Sequence, residues 1–279
     1  MTLSKSAISV VIRNKNEASA LREILSILTQ VYSGDIQEII VVDNNSTDNS
    51  REIAGEFNCR IVSIDRFSYG RAINTGIEEA TSPYVLLLSS HAIPVGQNFF
   101  RNSILTITRS ENIAGIRYIN SFENYKRAFQ NGFKVTNPIR FGLVAACCLV
   151  NKKVWQQFKF QEDLVFAEDK EWSQRVYNSG FQIIDLNETY FYFPQRDSSN
   201  LLKRYRNETI AEYKLQNKKF PSEPRIIASF FKKILFTNSK NYFLTVVNDL
   251  SILNTKFKIR KALAESQTEN SSKNNFKKE

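Results

Sequence analysis

Three short clusters of polar and charged residues each begin where a run of apolar residues ends. The clusters occupy residues 13–17, 43–48 and 89–91. Their carboxylates, amides, hydroxyls and basic groups supply hydrogen-bond donors and acceptors, together with cations for an anionic ligand. These residue types indicate a site that binds a polar ligand.

The apolar runs before the clusters predict buried strands, and helical patterns separate them. We predict strands at residues 8–12, 39–42, 60–64, 84–88 and 141–150, and helices at 18–30, 46–57 (N-capped by Ser46), 70–80, 98–108 and 170–179. This alternation predicts an α/β fold, in which helices cover both faces of a parallel sheet. Because ligands bind at the carboxyl ends of such strands, the three clusters are expected at one edge of the sheet.

Four segments, in this order, resemble the family 2 glycosyltransferases with the GT-A fold. Residues 9–17 resemble the family's opening strand and Asn-Glu turn, 41–48 its nucleotide-binding Asp-x-x-Ser-Thr-Asp, 67–76 the helix under the donor, and 168–172 its Glu-Asp motif. The resemblance covers roughly residues 6–200 and is more specific as an ordered set than any single motif. It implies a GT-A fold with a Rossmann-like, mostly parallel sheet and helices on both faces. It also implies an inverting glycosyltransferase that uses a nucleotide-diphospho-sugar.

One position departs from the family's pattern. The family usually has Asp-x-Asp after the fourth strand, where it holds a divalent metal against the donor diphosphate, but here Ser89, Ser90 and His91 stand there. Three roles are open for His91, the chain's single histidine: a metal ligand, a hydrogen-bond donor to the diphosphate, or a structural residue at a strand end. Imidazole suits Mn²⁺ better than Mg²⁺. We therefore expect Mn²⁺ if a metal is used, with metal-independent transfer as the alternative.

The resemblance assigns catalytic roles to the acidic pair. Asp169 would be the base that accepts the proton of the acceptor hydroxyl, and Glu168 would support it or position the acceptor. The alternative is helix capping, because Asp is favoured at the N-cap and acids are favoured in the first turn.

The resemblance also assigns residues to the donor. Asp43 would accept hydrogen bonds from the base or ribose, although an Asp after a strand also commonly forms a turn. Arg13, where the family often has Pro, and Arg71 would offset the diphosphate charge. The remaining donor-side residues are Asn14, Asn16, Glu17, Ser89 and Ser90, with helix capping as the alternative for Asn14, Asn16 and Glu17.

Two residues are assigned to the acceptor. Glu162, in the loop before the acidic pair, would bind acceptor hydroxyls, and the alternative is a solvated charge beside Asp163. Trp172 would either stack on a sugar face or lie in the core.

The chain's positive charge lies in its C-terminal part. Residues 200–279 hold 17 Lys and Arg against 7 Asp and Glu, which accounts for the whole net charge of +10. A helix over residues 226–236 would have an apolar face flanked by lysines, which suits either an anionic membrane surface or packing on the body. No recognition motif accompanies the charge, so nucleic acid is not expected. We expect a GT-A domain at 1–200, a basic amphipathic helical extension at 201–265 and a disordered tail at 266–279.

Composition sets the remaining expectations. Of 279 residues, 42% are hydrophobic and 24% charged, which excludes a disordered chain, and no apolar run approaches the roughly 20 residues of a membrane span. The three cysteines form neither a metal pattern nor a disulfide framework, so we expect a cytoplasmic protein, peripheral on the inner face of the cell membrane if the extension binds lipid.

We expect the acceptor to be a glycan or a lipid-linked saccharide in the synthesis of cell-envelope polysaccharide. A non-catalytic nucleotide- or glycan-binding homologue is the alternative, and residues 89–91 favour it. A sugar-nucleotide nucleotidyltransferase is a weaker one, because residues 13–17 lack the glycines of a phosphate loop.

Overall fold

The structure is a computed structural model, and it describes residues 8–193 and 198–275. The chain divides into two compact units, residues 1–218 and 219–279. The described strands, all in the first unit, are β1 (Ile8–Asn14), β2 (Ile36–Asp43), β3 (Arg60–Ser63), β4 (Tyr84–Ser89), β5 (Ala92–Val95), β6 (Ile113–Tyr118), β7 (Cys147–Asn151), β8 (Gln182–Leu186) and β9 (Thr189–Tyr192).

The helices of the first unit lie between these strands and after the last of them. They are α1 (Ala18–Val31), α2 (Ser50–Glu56), α3 (Tyr69–Glu79), α4 (Phe99–Ile107), α5 (Phe122–Gln130), α6 (Pro138–Phe141), α7 (Lys152–Gln157), α8 (Glu168–Asn178) and α9 (Ser198–Leu215). The alternation of strands and helices that the sequence predicts is therefore present.

The main sheet has seven strands in the order β3-β2-β1-β4-β7-β6-β8. All neighbouring pairs are parallel except those of β7, which runs antiparallel to β4 and to β6. The α/β fold with a mostly parallel sheet is thus confirmed. The register places Asn14 opposite Asp43 and Arg13 opposite Ser89, so the polar clusters meet at one edge, as expected.

Each face of the sheet carries its own buried cluster of side chains. Val10 and Ile12 of β1 pack with α1, whereas Val11 points to the opposite face and packs with α3. A side chain of this size contributes about 1.5–3 kcal/mol when it is fully buried. These cores hold the strand ends, and with them the polar residues, in fixed positions.

Two local predictions are wrong. The second helix begins at Ser50 after Asn49 rather than at Ser46, because the Ser46 hydroxyl bonds to Asp43 instead. The strand predicted over residues 141–150 forms only at Cys147–Asn151, and the segment before it includes the short helix α6, which the Asn137 side chain caps.

The second unit is helical over its described residues. It comprises α10 (Glu223–Lys232), a π-helical segment (Lys233–Asn238) and α11 (Ser239–Asn275). The segment expected to be disordered, 266–279, is helical as far as Asn275, and its last four residues lie outside the described part. The expected domain boundary near residue 200 falls inside α9, which clusters with the first unit. Among the described helices, none has both the length and the apolar character needed to cross a membrane.

Candidate functional site

Asp43 organises the turn that follows β2. Its side chain is completely buried, and its carboxylate accepts hydrogen bonds from the Ser46 hydroxyl and backbone N–H, from Asn14 Nδ2 and from Arg51 Nη1. Burial alone would raise the pKa of Asp43, but these hydrogen bonds outweigh it and hold the pKa below its usual value. The structure thus gives Asp43 the turn-forming role, and its contact with a donor remains a prediction.

Asn16 joins the first two polar clusters. It adopts a left-handed conformation with φ of 53°, and its Oδ1 accepts a hydrogen bond of 2.7 Å from the backbone N–H of Thr47. Its own N–H donates to Ser46 Oγ, 2.9 Å away. Neither Asn14 nor Asn16 caps a helix. Both instead bind the turn after β2, so the β1 and β2 ends form one rigid edge.

The third cluster, at the end of β4, is tied to the first by a contact between His91 and Glu17. His91 Nε2 lies 3.2 Å from Glu17 Oε1, and Glu17 occupies the N-cap position of α1 without a capping hydrogen bond from its side chain. Ser89 Oγ accepts a hydrogen bond from the His91 backbone N–H, and Ser90 is buried. Among the described residues, buried His91 Nδ1 has no hydrogen-bond partner. The imidazole of His91 therefore contacts Glu17 through Nε2, while Nδ1 has no partner among the described residues.

This donor set does not fit a carboxylate-held metal ion. Among the described residues there is no group of three His, Cys, Asp or Glu side chains that could hold one. At residues 89–91, one imidazole and two hydroxyls replace the oxygen-rich set that hard divalent cations prefer. Any role of His91 as a metal ligand thus remains a prediction.

The acidic pair begins α8. The N-cap residue is Ala167, in a left-handed conformation, so neither acid caps the helix; both lie in its first turn. Asp169 Oδ2 accepts the backbone N–H of Ala145 at 2.9 Å, and Oδ1 accepts that of Lys170 at 2.8 Å. Glu168 is 5% exposed, and its burial, together with the negative charge of Asp169, raises its pKa to about 7. The two neighbouring carboxyls therefore have different environments.

Two cations accompany the acidic pair. Arg13 Nη2 donates to the backbone oxygen of Ala145, the residue whose N–H binds Asp169, at 2.7 Å. The Arg13 guanidinium lies 5.7 Å from the centre of the Tyr69 ring, and its buried Nε has no hydrogen-bond partner. Lys170 Nζ donates to the backbone oxygens of Gly142 and Leu143, and burial lowers the pKa of Lys170 against the opposing effect of Asp169.

A cavity of about 730 Å³ lies against the loop that precedes the acidic pair. It is lined by Arg66, Phe67, Ser68, Tyr69, Glu162, Asp163, Leu164, Val165, Phe166 and Asn207. Glu162 is fixed at its wall by Arg71 Nε at 3.0 Å and Asn74 Nδ2 at 3.1 Å. Arg71 is therefore already paired with a carboxylate. Glu162 was expected from the sequence. Tyr69, Asn74 and Asn207 were not, because only the tertiary fold brings them to the loop that contains Glu162.

Trp172 does not reach this cavity. Its side chain is fully buried, its ring stacks on that of Phe160 at 5.0 Å, and its Nε1 donates to the Phe158 backbone oxygen. The prediction that it contacts the acceptor is corrected: Trp172 belongs to the core.

The fold is that of a GT-A glycosyltransferase. The chain is similar to the solved mannosyltransferase PcManGT from Pyrobaculum calidifontis, in complex with GDP-Man and Mn²⁺, with a TM-score of 0.61, 16% identity, and coverage of 80% of this chain and 67% of that one. It is also similar to glucosyl-3-phosphoglycerate synthase from Mycobacterium tuberculosis with Mn²⁺ and UDP-Glc, with a TM-score of 0.59, 16% identity, and coverage of 79% and 81%. At these identities the likeness shows the fold alone.

The chain belongs to glycosyl transferase family 2, whose family model matches residues 9–158. It is 27% identical over 221 residues to Glycosyltransferase AglE of Haloferax volcanii, covering 73% of this chain and 72% of that protein. It is 32% identical over 84 residues to the uncharacterized glycosyltransferase Mb0553 of Mycobacterium bovis, covering 30% of this chain and 36% of that protein. The family and the enzyme class expected from the sequence are confirmed: the protein is a glycosyltransferase.

Proposed function

We propose that the protein transfers a sugar, with inversion, from a nucleotide-diphospho-sugar to a hydroxyl of a glycan or lipid-linked saccharide in cell-envelope polysaccharide synthesis. The observation that carries the proposal is the acidic pair at the start of α8, directly after a loop that lines a cavity of about 730 Å³. The position of the pair directly after this loop supports base catalysis on a hydroxyl bound in the cavity.

In the proposed reaction Asp169 is the base. The acceptor oxygen attacks the anomeric carbon while its proton passes to the Asp169 carboxylate, and the bond from that carbon to the diphosphate oxygen breaks. Hydrogen bonds from two backbone N–H groups fix Asp169, so its carboxylate needs no rearrangement during the step. Glu162, held by Arg71 and Asn74, accepts hydrogen bonds from acceptor hydroxyls at the cavity wall. Family membership supports inversion.

The leaving nucleoside diphosphate gains negative charge as its bond to the sugar breaks. Arg13 and His91 lie at the ends of neighbouring strands, and each has a buried nitrogen that finds no partner in the described part of the chain. We assign both to the diphosphate, because Arg71 is already paired with Glu162. Asn14, Asn16, Glu17, Asp43, Ser89 and Ser90 form the rest of the proposed donor pocket. Similar solved structures hold Mn²⁺, but no step here depends on a metal, since the described residues do not form a carboxylate site for one.

Donor binding is tested by the melting temperature of the protein with UDP-, dTDP-, GDP- and CMP-sugars, each with Mn²⁺, Mg²⁺ or EDTA. A ligand that binds only the folded state raises the melting temperature. We expect one nucleotide class to do so in EDTA, and the shift to decrease in Arg13→Gln and His91→Ala. A shift that requires Mn²⁺ and vanishes in His91→Ala would instead make His91 a metal ligand. No shift with any nucleotide overturns the proposal.

Catalysis is tested by Asp169→Asn once the donor is known. We expect turnover to fall by about 10²- to 10⁴-fold, the usual contribution of a general base, with an unchanged dissociation constant for the donor. The matched control is Glu171→Gln, an acid of the same helical turn that is paired with Arg175. Its turnover should stay close to that of the wild type. If Asp169→Asn retains full turnover, Asp169 is not the base.

A further inference from the structure

The first helix of the second unit has an apolar face and a basic face. Ile226, Ile227, Phe230, Phe231 and Ile234 are spaced i, i+1, i+4, i+5 and i+8, which places them on one side of a helix. The structure leaves all five exposed, and α10 has no buried residue. Large apolar side chains gathered in this way mark a surface that binds a partner.

The charges on and around this helix are almost entirely positive. At 100° per residue, Arg225 and Lys232 fall on the side opposite the apolar face, and Lys233 lies at its margin beside Ile226. Residues 219–260 contain eight Lys and Arg but only Glu223 and Asp249 as acids. A partner of this surface therefore combines an apolar region with dense negative charge.

We propose that α10 and the π-helical segment after it bind an anionic lipid bilayer, parallel to its surface. The apolar face lies at the boundary between headgroups and acyl chains, and the basic face binds lipid phosphates and carboxylates. An anionic bilayer offers both properties in one continuous surface, whereas a second copy of this chain would bring its own positive charge to the same place. The proposal concerns a surface outside the catalytic unit and is independent of the transfer reaction.

Co-sedimentation of the full chain with vesicles tests this inference. One set of vesicles contains phosphatidylcholine alone, and the other contains equal parts of phosphatidylcholine and phosphatidylglycerol. We expect the protein to pellet with the anionic vesicles at low salt and to be released as salt increases. The double variant Lys232→Glu with Lys233→Glu should weaken binding by more than about fivefold for each residue replaced. One basic residue contributes about fivefold to binding of an anionic membrane.

The apolar face is tested by Phe230→Glu with Phe231→Glu. We expect this variant to lose vesicle binding while the melting temperature of the first unit stays unchanged. The controls are Leu105→Glu, an exposed apolar residue of α4, and Lys126→Glu, an exposed cation of α5; both should bind vesicles as the wild type does.

Three results would overturn the inference. One is failure of the wild type to bind anionic vesicles at low salt. Another is a dimer of the wild type that Phe230→Glu with Phe231→Glu dissociates without changing vesicle binding. The third is a lower melting temperature in that variant with vesicle binding retained, which would mean that the face packs on the chain itself.

Discussion

The site places positively charged side chains next to its two neighbouring carboxyl groups. Glu168 and Asp169 lie in the first turn of α8, and Arg13 and Lys170 lie close enough to influence the pKa of Glu168. The backbone of Ala145 links them, because its N–H binds Asp169 and its oxygen accepts from Arg13. A displacement of this loop would therefore move the proposed base and one of its cations together.

The raised pKa of Glu168 makes stability depend on pH. Burial and the neighbouring Asp169 charge raise it from the usual 4.5 to about 7, so the folded state binds this proton more tightly than the unfolded state does. Its stabilising contribution is complete below the unfolded pKa and is lost as pH rises through the folded value. Glu168→Gln cannot ionise at this position. Its free energy of unfolding relative to that of the wild type should therefore increase by about 3 kcal/mol from about pH 5 to pH 8.

Urea denaturation of both proteins across this pH range measures the difference. A stability difference that is the same at every pH would show that Glu168 does not titrate differently in the folded and unfolded states. The enzyme's pH–rate profile supplies an independent readout, because loss of the Glu168 charge changes the field at Asp169.

At the level of residues, the sequence supports Asp169 and Glu162 as candidates because both lie in short, recognisable segments. It could not show that Arg71 is paired with Glu162, a contact between residues 91 positions apart. Nor could it show that Trp172 is buried, since an aromatic residue in a first helical turn fits a core as well as a ligand site. Such distinctions depend on tertiary contacts that no local pattern contains.

Among the secondary-structure elements, α3 packs against the sheet through a glycine. A Cβ at Gly76 would lie 2.3 Å from Val11 Cγ1 and 3.1 Å from Val42 Cγ2, both on strands that carry the polar clusters. Only Gly at position 76 allows α3 to lie this close to the sheet, although Gly in a helix interior lowers the stability of the helix.

Two glycine variants separate these opposing effects. Gly76→Ala should destabilise the protein by about 1–3 kcal/mol, because overpacking of the core outweighs the better helix propensity of Ala. Gly55→Ala, in α2, meets nothing within 4 Å and should stabilise the protein by about 0.5–1 kcal/mol. Urea denaturation of both variants gives the comparison. Equal effects in the two variants would mean that α3 can move away from β1.

The strands at 8–12, 39–42 and 84–88 were predictable because parallel strands buried on both faces are continuously apolar. The same reasoning fails at residues 141–150, where apolar side chains pack into the core from a short helix and a loop as well as from β7. Apolar composition reports burial and does not distinguish these conformations. It also gives no direction for β7, whose antiparallel pairing depends on the path of the chain.

On the scale of the whole molecule, the boundary between the two units follows α9. A chain ending at Lys218 keeps this helix, whose Asn207 lines the cavity, whereas a chain ending at residue 200 loses it. We expect the 1–218 chain to melt cooperatively and to keep the nucleotide-sugar shift of the full chain. The 1–200 chain should melt at a lower temperature. If the 1–218 chain does not melt cooperatively, the first unit depends on residues 219–279 for its folding.

Both tryptophans of the chain lie in the first unit, buried on the same face of the sheet. Trp155 Nε1 donates to Asn74, which also holds Glu162, and Trp172 is in the same helix as the acidic pair. Indole emission is therefore an intrinsic optical probe of the catalytic unit that receives no signal from residues 219–279. Excitation of tryptophan alone can follow substrate binding and unfolding in that unit, while a fluorophore attached to α10 reports separately on the extension.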